Sequence, residues 1–432
     1  MGFKYRYFIF GLLGTAYILV FFHRLAPAVV AVDMMRDLHT SGALMGILAS
    51  AYFYPYALMQ IPAGLLADSW GPRRSITFFF AFAAAGAIIL GFACNASTAI
   101  FARTIVGLGV AMVFVPTMKI LTNWFEPEKY VRMTGFLMGM GGLGGYTAAA
   151  PLALLSAVIG WRGSMIVIGI LTLGIALAIW FMVRDTPQEM GFHFVNNNTS
   201  RNSVAKKISI WRGIRLIVQE PRFWPWAMVF FLGAAVNLSF TGLWGGPFLM
   251  HVYGMSKTEA GGILSMMALG LMFGSPTMGW LSEKVFHSRK KLLMFNQLSA
   301  FCLFIFLAFF TGDFNKPLLY VWCFVYSFFL SGAVVVGYPS IKEYFPLEIA
   351  GTATGLINIF PFAGAALGQP LMGLFLDHFG SGGTSYSVDA YSAVFKIGLI
   401  FLFGAFVAST LVTETLRGAP EKENVSSKEY TP

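Results

Sequence analysis

An all-α polytopic membrane protein, with twelve transmembrane helices in two pseudo-symmetric six-helix bundles, is the fold class this sequence predicts. Three observations carry that expectation. First, 57% of the 432 residues are hydrophobic, 11% are charged and the mean hydropathy is +0.71. A soluble chain needs roughly a quarter of its residues charged to keep its surface wet, and lipid removes that need. Second, the apolar residues gather into twelve runs, each near the ~20 residues that cross a ~30 Å hydrocarbon layer. Third, short patterns of the first half recur in order in the second.

The runs occupy 7–32, 43–66, 76–96, 99–122, 133–158 and 163–183, then 223–250, 258–282, 291–312, 317–341, 350–376 and 389–413. The first follows a short basic start, Met1 to Arg6, and continues to about Val32 without a small-residue cleavage site. It therefore reads as a retained helix and not as a signal peptide. The 44 Phe and 47 Gly suit lipid-facing bulk and close helix contacts. Cys94, Cys302 and Cys323 lie within apolar runs at no metal-ligand spacing, and their number excludes a disulfide framework. The longest polar segment, 184–222, holds Asn196, Asn197 and Asn198 and then Lys206, Lys207, Arg212 and Arg215. It divides the chain into an N-terminal bundle (1–183), a cytoplasmic linker (184–222), a C-terminal bundle (223–413) and a cytoplasmic tail (414–432).

A net charge of +10 would suit nucleic acid, but the cations sit in gaps between apolar runs. With the N-terminus in the cytoplasm, most of the 29 Lys and Arg fall in or beside the tails and the even-to-odd loops. The exceptions are Arg24, Arg36, Arg103, Arg162, Lys257, Lys316 and Lys396. That asymmetry predicts cytoplasmic termini by the positive-inside rule. The expected setting is a plasma membrane, the inner membrane if the source is bacterial.

The repetition is specific. Gly64-Leu65-Leu66-Ala67-Asp68 recurs as Gly279-Trp280-Leu281-Ser282-Glu283, and Gly46-Ile47-Leu48 as Gly262-Ile263-Leu264. Gly109, Pro116 and Lys119 keep their spacing as Gly332, Pro339 and Lys342; Thr134-Gly135 and Pro151-Leu152 return as Thr354-Gly355 and Pro370-Leu371. Two parallel repeats place a midplane cavity at their interface.

The stretch from Gly64 to Asp68, continued by Ser69-Trp70-Gly71-Pro72-Arg73-Arg74, resembles the signature between helices 2 and 3 of the major facilitator superfamily, with a weaker copy at Gly279 to Lys291. The resemblance spans essentially the whole chain. It implies a transporter in which this cluster is a conformational latch: Gly64 allows close helix approach, Asp68 accepts from a helix N-terminus or a basic partner, and Arg73 and Arg74 anchor the cytoplasmic face. Arg103, ahead of Gly107 and Gly109, is similar to the family's helix 4 motif. It either snorkels outward or lines the cavity, where the superfamily associates this arginine with coupling.

Arg24 is the leading binding residue. It follows roughly seventeen apolar or small residues of the first run. An arginine inside a membrane helix costs ~2.5–3.5 kcal/mol even on the insertion scale, so such residues face polar cavities. Its guanidinium fork suits carboxylate or phosphate. Its position before Asp68 resembles that of the first-helix arginine in organic-anion and organophosphate transporters of the superfamily, nearest in pattern to bacterial carboxylate uptake members. Relatives that bind phosphate esters add a basic residue in helix 7, and no Arg or Lys lies between Phe223 and His251 here. A single carboxylate fits better than a dianionic phosphate.

Tyr17, Tyr52, Tyr56, Gln60, Tyr146, Asn237, Tyr338, Asn358 and Gln369 are the other expected cavity residues, polar tips on apolar helices. Lys119 and Lys342, with Asp68 and Glu283, read as gating or topogenic charges. Helix 5 has Gly139, Gly141, Gly142, Gly144 and Gly145 but lacks the Gly-Pro pair of the family's efflux antiporters, which favours uptake. Proton coupling needs a titratable group in the pathway; His23 and Asp33, near the outer mouth, are the candidates. No metal cluster, ATP loop or nucleophile-base pair is visible, so the chain is read as a carrier and not an enzyme, without a cofactor. The expectation is proton-coupled uptake of a small organic anion, a monocarboxylate or sugar acid, by a monomer in the bilayer. Amino-acid or nucleoside uptake, amphiphile efflux, and a sensor or enzyme on a transporter-like fold are the alternatives.

Overall fold

The computed structural model describes residues 2–191, 210–380 and 385–416, and every regular element among them is helical. Lys206, Lys207, Asn196 to Asn198 and the tail from residue 417 lie outside the described residues. The first crossing is α1 (Gly2–Leu25) with α2 (Pro27–Asp37). The second is α3 (Gly42–Ser50), α4 (Phe53–Leu58) and α5 (Gln60–Ser69); the third is α6 (Pro72–Gly91); the fourth is α7 (Ala96–Val110) with α8 (Phe114–Trp124). The fifth, α9 (Pro127–Thr147), runs on into α10 (Ala150–Met182), whose remainder is the sixth. After α11 (Ile210–Gln219), the seventh comprises α12 (Phe223–Ser239), a π-helical turn (Phe240–Trp244) and α13 (Gly245–Tyr253). Then come α14 (Lys257–Lys284), α15 (Arg289–Phe309), α16 (Lys316–Tyr344), α17 (Leu347–Ile357) with α18 (Ile359–Phe379), and α19 (Val388–Leu411).

Ten stretches are long and apolar enough to span a membrane, and the bent pair Gly42–Leu58 and Pro62–Ser69 makes an eleventh. Arg132–Met182, at 51 residues, would be roughly 75 Å long at ~1.5 Å per residue and so counts as two crossings. Gly160 divides it: its φ of 73° is left-handed backbone that glycine adopts without penalty. The total is twelve crossings, in two six-helix bundles. An even number returns both ends to one side, here named the terminus face; its opposite is the far face.

Several runs expected as continuous helices are interrupted, and proline supplies the reason. Turns at 51–52, 59, 111–113, 148–149 and 358 lie two to five residues before Pro55, Pro62, Pro116, Pro151 and Pro361. A proline ring clashes with the carbonyl four residues back and removes one helical bond. Pro276, Pro339 and Pro370 are absorbed inside helices instead. The interruptions fall beside Tyr52, Gln60 and Asn358, so the backbone is irregular where polar side chains gather. That is the arrangement a membrane tolerates only away from lipid.

Within the segment expected as a linker, α11 docks by Ile217, buried in a C-half cluster with Phe223, Trp226 and Ile349, and leaves Trp211, Arg212 and Arg215 exposed.

Candidate functional site

Arg24 is the penultimate residue of α1, two residues before the helix break at Ala26. Its side chain is only 7% exposed. The guanidinium carbon lies 4.5 Å from the ring centre of Phe21, 5.0 Å from Tyr56 and 5.0 Å from Phe362. Desolvated cation–π contacts of this kind are worth ~2 kcal/mol or more. Tyr56 packs on Phe362 of the other half at 4.4 Å and stacks on Tyr52 at 5.7 Å. Tyr17 supports Phe21 from behind at 5.2 Å. Among the described residues no Asp or Glu pairs with Arg24, and its Nε has no hydrogen-bond partner.

Arg24 borders a cavity of about 140 Å³ between the halves. Its walls come from α1 and α2 (Phe21, Arg24, Val29), α9 (Gly141, Gly142, Gly145), α12 with the π turn (Asn237, Thr241), α14 (Met267) and α16 (Ser327). Asn237 brings an unpartnered amide oxygen. One helical turn towards the terminus face, Tyr338 donates to Asn358 (2.5 Å), Asn358 to Gln60 across the halves (2.8 Å), and Gln60 to the Tyr56 carbonyl (3.0 Å). Gln369 is buried deeper towards the far face. Its amide donates to the Leu238 carbonyl at 3.1 Å and its own side-chain oxygen is unpartnered.

The structure does not bring every expected residue here. Tyr146 is exposed, one position beyond Gly145; the ~100° step of a helix carries it off the cavity wall. His23 is buried within the N-half, with Nε2 3.0 Å from the Thr172 hydroxyl. Arg103 neither snorkels nor lines the cavity. It is buried, donating to the carbonyls of His23 (2.7 Å) and Ala49 (3.3 Å), and so ties the first, second and fourth crossings together. Phe21 and Phe362, which complete the Arg24 cage, carry no signal that separates them from the chain's other phenylalanines.

The far face is sealed between the halves. Asp377, at the end of α18, accepts from the first two amides of α3, Gly42 (2.8 Å) and Ala43 (2.8 Å), and from the Tyr386 hydroxyl (2.6 Å). Lys257 at the start of α14 pairs with Asp33 of α2 and donates to Ser156 at 3.0 Å; both ion-pair partners are 16% exposed. A methyl at Gly46 would sit 2.6 Å from the Gln369 carbonyl. Lys257, Asp377 and Tyr386 were not expected from sequence, although Asp377 is an acid at the end of an apolar run.

On the terminus face, every ion pair among the described residues stays within one half. Lys119 donates to Asp68 at 2.6 Å and to the Ala67 carbonyl at 2.9 Å. Asp185 caps α6 through the Arg73 amide (2.7 Å), while Arg74 is exposed. In the second half Glu283 and Lys342 are both exposed and form no ion pair among the described residues. Arg289 pairs with Glu343, and Glu414 takes the capping place of Asp185 at α15. Burial pushes the Glu414 carboxyl up, but the Ser288 hydroxyl and the amides of Leu416, Arg289 and Lys290 outweigh it and hold it below the usual carboxylate range.

The model of the Major Facilitator Superfamily matches residues 9–359 and again 240–431. The chain belongs to the Major Facilitator Superfamily. It is accordingly a multi-pass membrane transporter and not an enzyme. Among similar proteins, the probable sulfoacetate transporter SauU of Cupriavidus necator is 22% identical over 82% of this chain and 84% of its own length. A probable hexose phosphate transport protein of Chlamydia pneumoniae is 25% identical over 85% of each. A solved bacterial homolog of the human lysosomal transporter Spinster, inward-facing and unoccupied, superposes with a TM-score of 0.77 at 20% identity, covering 94% of this chain and 97% of that one. This last likeness supports the superfamily fold alone.

Proposed function

We propose that this superfamily member is a secondary active transporter of a small organic anion, a monocarboxylate or sugar acid, working by alternating access. The observation that carries the reading is Arg24: a buried guanidinium on the wall of an inter-half cavity, paired with no acid among the described residues. A buried charge without a counter-charge is costly, and an anionic cargo supplies one. The volume of about 140 Å³ is below the ~300–1,000 Å³ of drug-sized sites, which favours a small cargo. Relatives named for sulfoacetate and hexose phosphate both handle anions. The seventh crossing offers Asn237 and Thr241 to the cavity but no Arg or Lys, which favours one carboxylate over a phosphate dianion.

The basic residues set the terminus face in the cytoplasm. Coupling is to protons, with Asp33 the group to test, because His23 is engaged within the N-half and no acid lines the cavity among the described residues.

Purified protein in liposomes, given radiolabelled carboxylates, sulfonates, amino acids and nucleosides under an imposed proton gradient, tests this directly. Arg24→Ala should cut uptake of the identified anion more than about thirtyfold, since leaving one member of a buried charged contact unpaired costs ~2 kcal/mol or more. Expression should be intact. Near-normal transport by that variant, or transport of neutral nucleosides alone, would overturn the assignment.

A further inference from the structure

Three glycines of α9, Gly141, Gly142 and Gly145, form one wall of the Arg24 cavity, and they are not equivalent. A Cβ on Gly141 would come within 2.9 Å of the Phe21 ring, which lies under the guanidinium. One on Gly145 would meet Leu25 at 3.2 Å and Ala268 at 3.4 Å. At Gly142 the nearest atom is the Met272 Cβ at 3.7 Å, an ordinary contact. Gly142 has no left-handed backbone and no close neighbour to spare, yet glycine is the poorest ordinary residue for a helix interior. Packing gives no reason for it. The space it leaves opens into the cavity that Arg24 borders, and among the described residues no acid pairs with that guanidinium.

We propose that Gly142 sets the upper size of the transported anion, the missing side chain being the room that the far end of the cargo occupies while Arg24 holds its charge. This rests on the anion reading above. A methyl group has about the bulk of a water molecule and would project into a cavity of about 140 Å³. A pocket discriminates one methylene by roughly 10–200-fold when it cannot give.

The test is proteoliposome uptake of two monocarboxylate probes, the two-carbon glycolate and a six-carbon aldonate, by the unaltered chain, Gly142→Ala and Gly142→Val. Alanine should raise the KM for the aldonate about tenfold or more while leaving that for glycolate within about twofold, and valine should extend the loss to the smaller anion. Melting temperature should not fall, because alanine favours the helix. Equal losses for both probes would show that Gly142 serves helix bending, and unchanged KM for both would show that the wall is not a size limit; either overturns the proposal. If no carboxylate or sulfonate of the wider panel is carried in an Arg24-dependent way by the unaltered chain, the anion reading itself fails, and the size limit with it.

Discussion

The two faces of the transporter are closed by different means. At the far face the contacts cross between halves: a carboxylate of α18 on the amides of α3, a lysine of α14 on an acid of α2, and glycines that let backbones touch. At the terminus face the ion pairs among the described residues stay within halves, and added methyls at Gly64, Gly135, Gly139, Gly351 and Gly355 would meet no described atom within 4 Å. Among the described residues, the inter-half side-chain bond nearest that face is the Gln60–Asn358 amide contact, one turn from Arg24. Latches inside a half rigidify it as a body, whereas contacts across halves set which side opens. The family's signature cluster belongs to the first kind in this conformation, and its functional complement lies at the other end of the same crossings.

Breaking the far-face seal should therefore shift the population, in proportion to how much of the seal is lost. The largest effect is expected from Gly46→Leu. Its Cβ would meet the Gln369 carbonyl at 2.6 Å, and neither backbone can yield without separating α3 from α18. Overpacking of this kind costs ~1–3 kcal/mol, so transport should fall about tenfold or more. Spin-label distances across the far face should lengthen while those within each half stay fixed; unchanged distances would remove Gly46 from the seal. Next in size is Asp377→Asn. The amide keeps one acceptor but turns N–H donors towards an amide that also donates, and it removes the charge favoured at a helix N-terminus. A loss of ~1–2 kcal/mol should raise far-face labelling of a nearby cysteine about five- to thirtyfold. Tyr386→Phe, which removes one hydroxyl donor to Asp377, should give a smaller shift in the same direction.

How much of this was legible beforehand follows from the range of each signal. The twelve crossings and the two halves are written in hydropathy and repetition, because the bilayer imposes a length and a polarity on every run. Gly160 and the prolines mark where those runs break, through local backbone geometry that any single residue carries. Arg24 stands out because a charge in an apolar run is expensive. The seal does not: Lys257 and Asp377 sit at run ends, where charged residues are ordinary, and their meaning comes from partners far away in sequence. Arg103 shows the same limit from the other side, since both readings of its position missed the carbonyls of His23 and Ala49 that hold it. Tyr146 illustrates how one position along a helix separates a wall residue from an outward one.

The smallest of these effects, and the one that best separates charge from packing, should come from the Asp33–Lys257 pair. Both groups are 16% exposed, so the pair is partly screened and worth ~1 kcal/mol. Lys257→Gln should open the far face about three- to fivefold by cysteine labelling. The reversed pair, Asp33→Lys with Lys257→Asp, should recover only part of that loss. Arg36 lies 3.8 Å from Asp33 on the next turn of α2, so a lysine at 33 meets a like charge that the native acid does not. Ser156 now accepts from the far end of Lys257, and the shorter aspartate at 257 would not reach it, which further limits recovery. Full recovery would mean that Arg36 is turned away in the working protein. No recovery together with no loss in the single variant would assign the seal to Asp377 and the glycines alone.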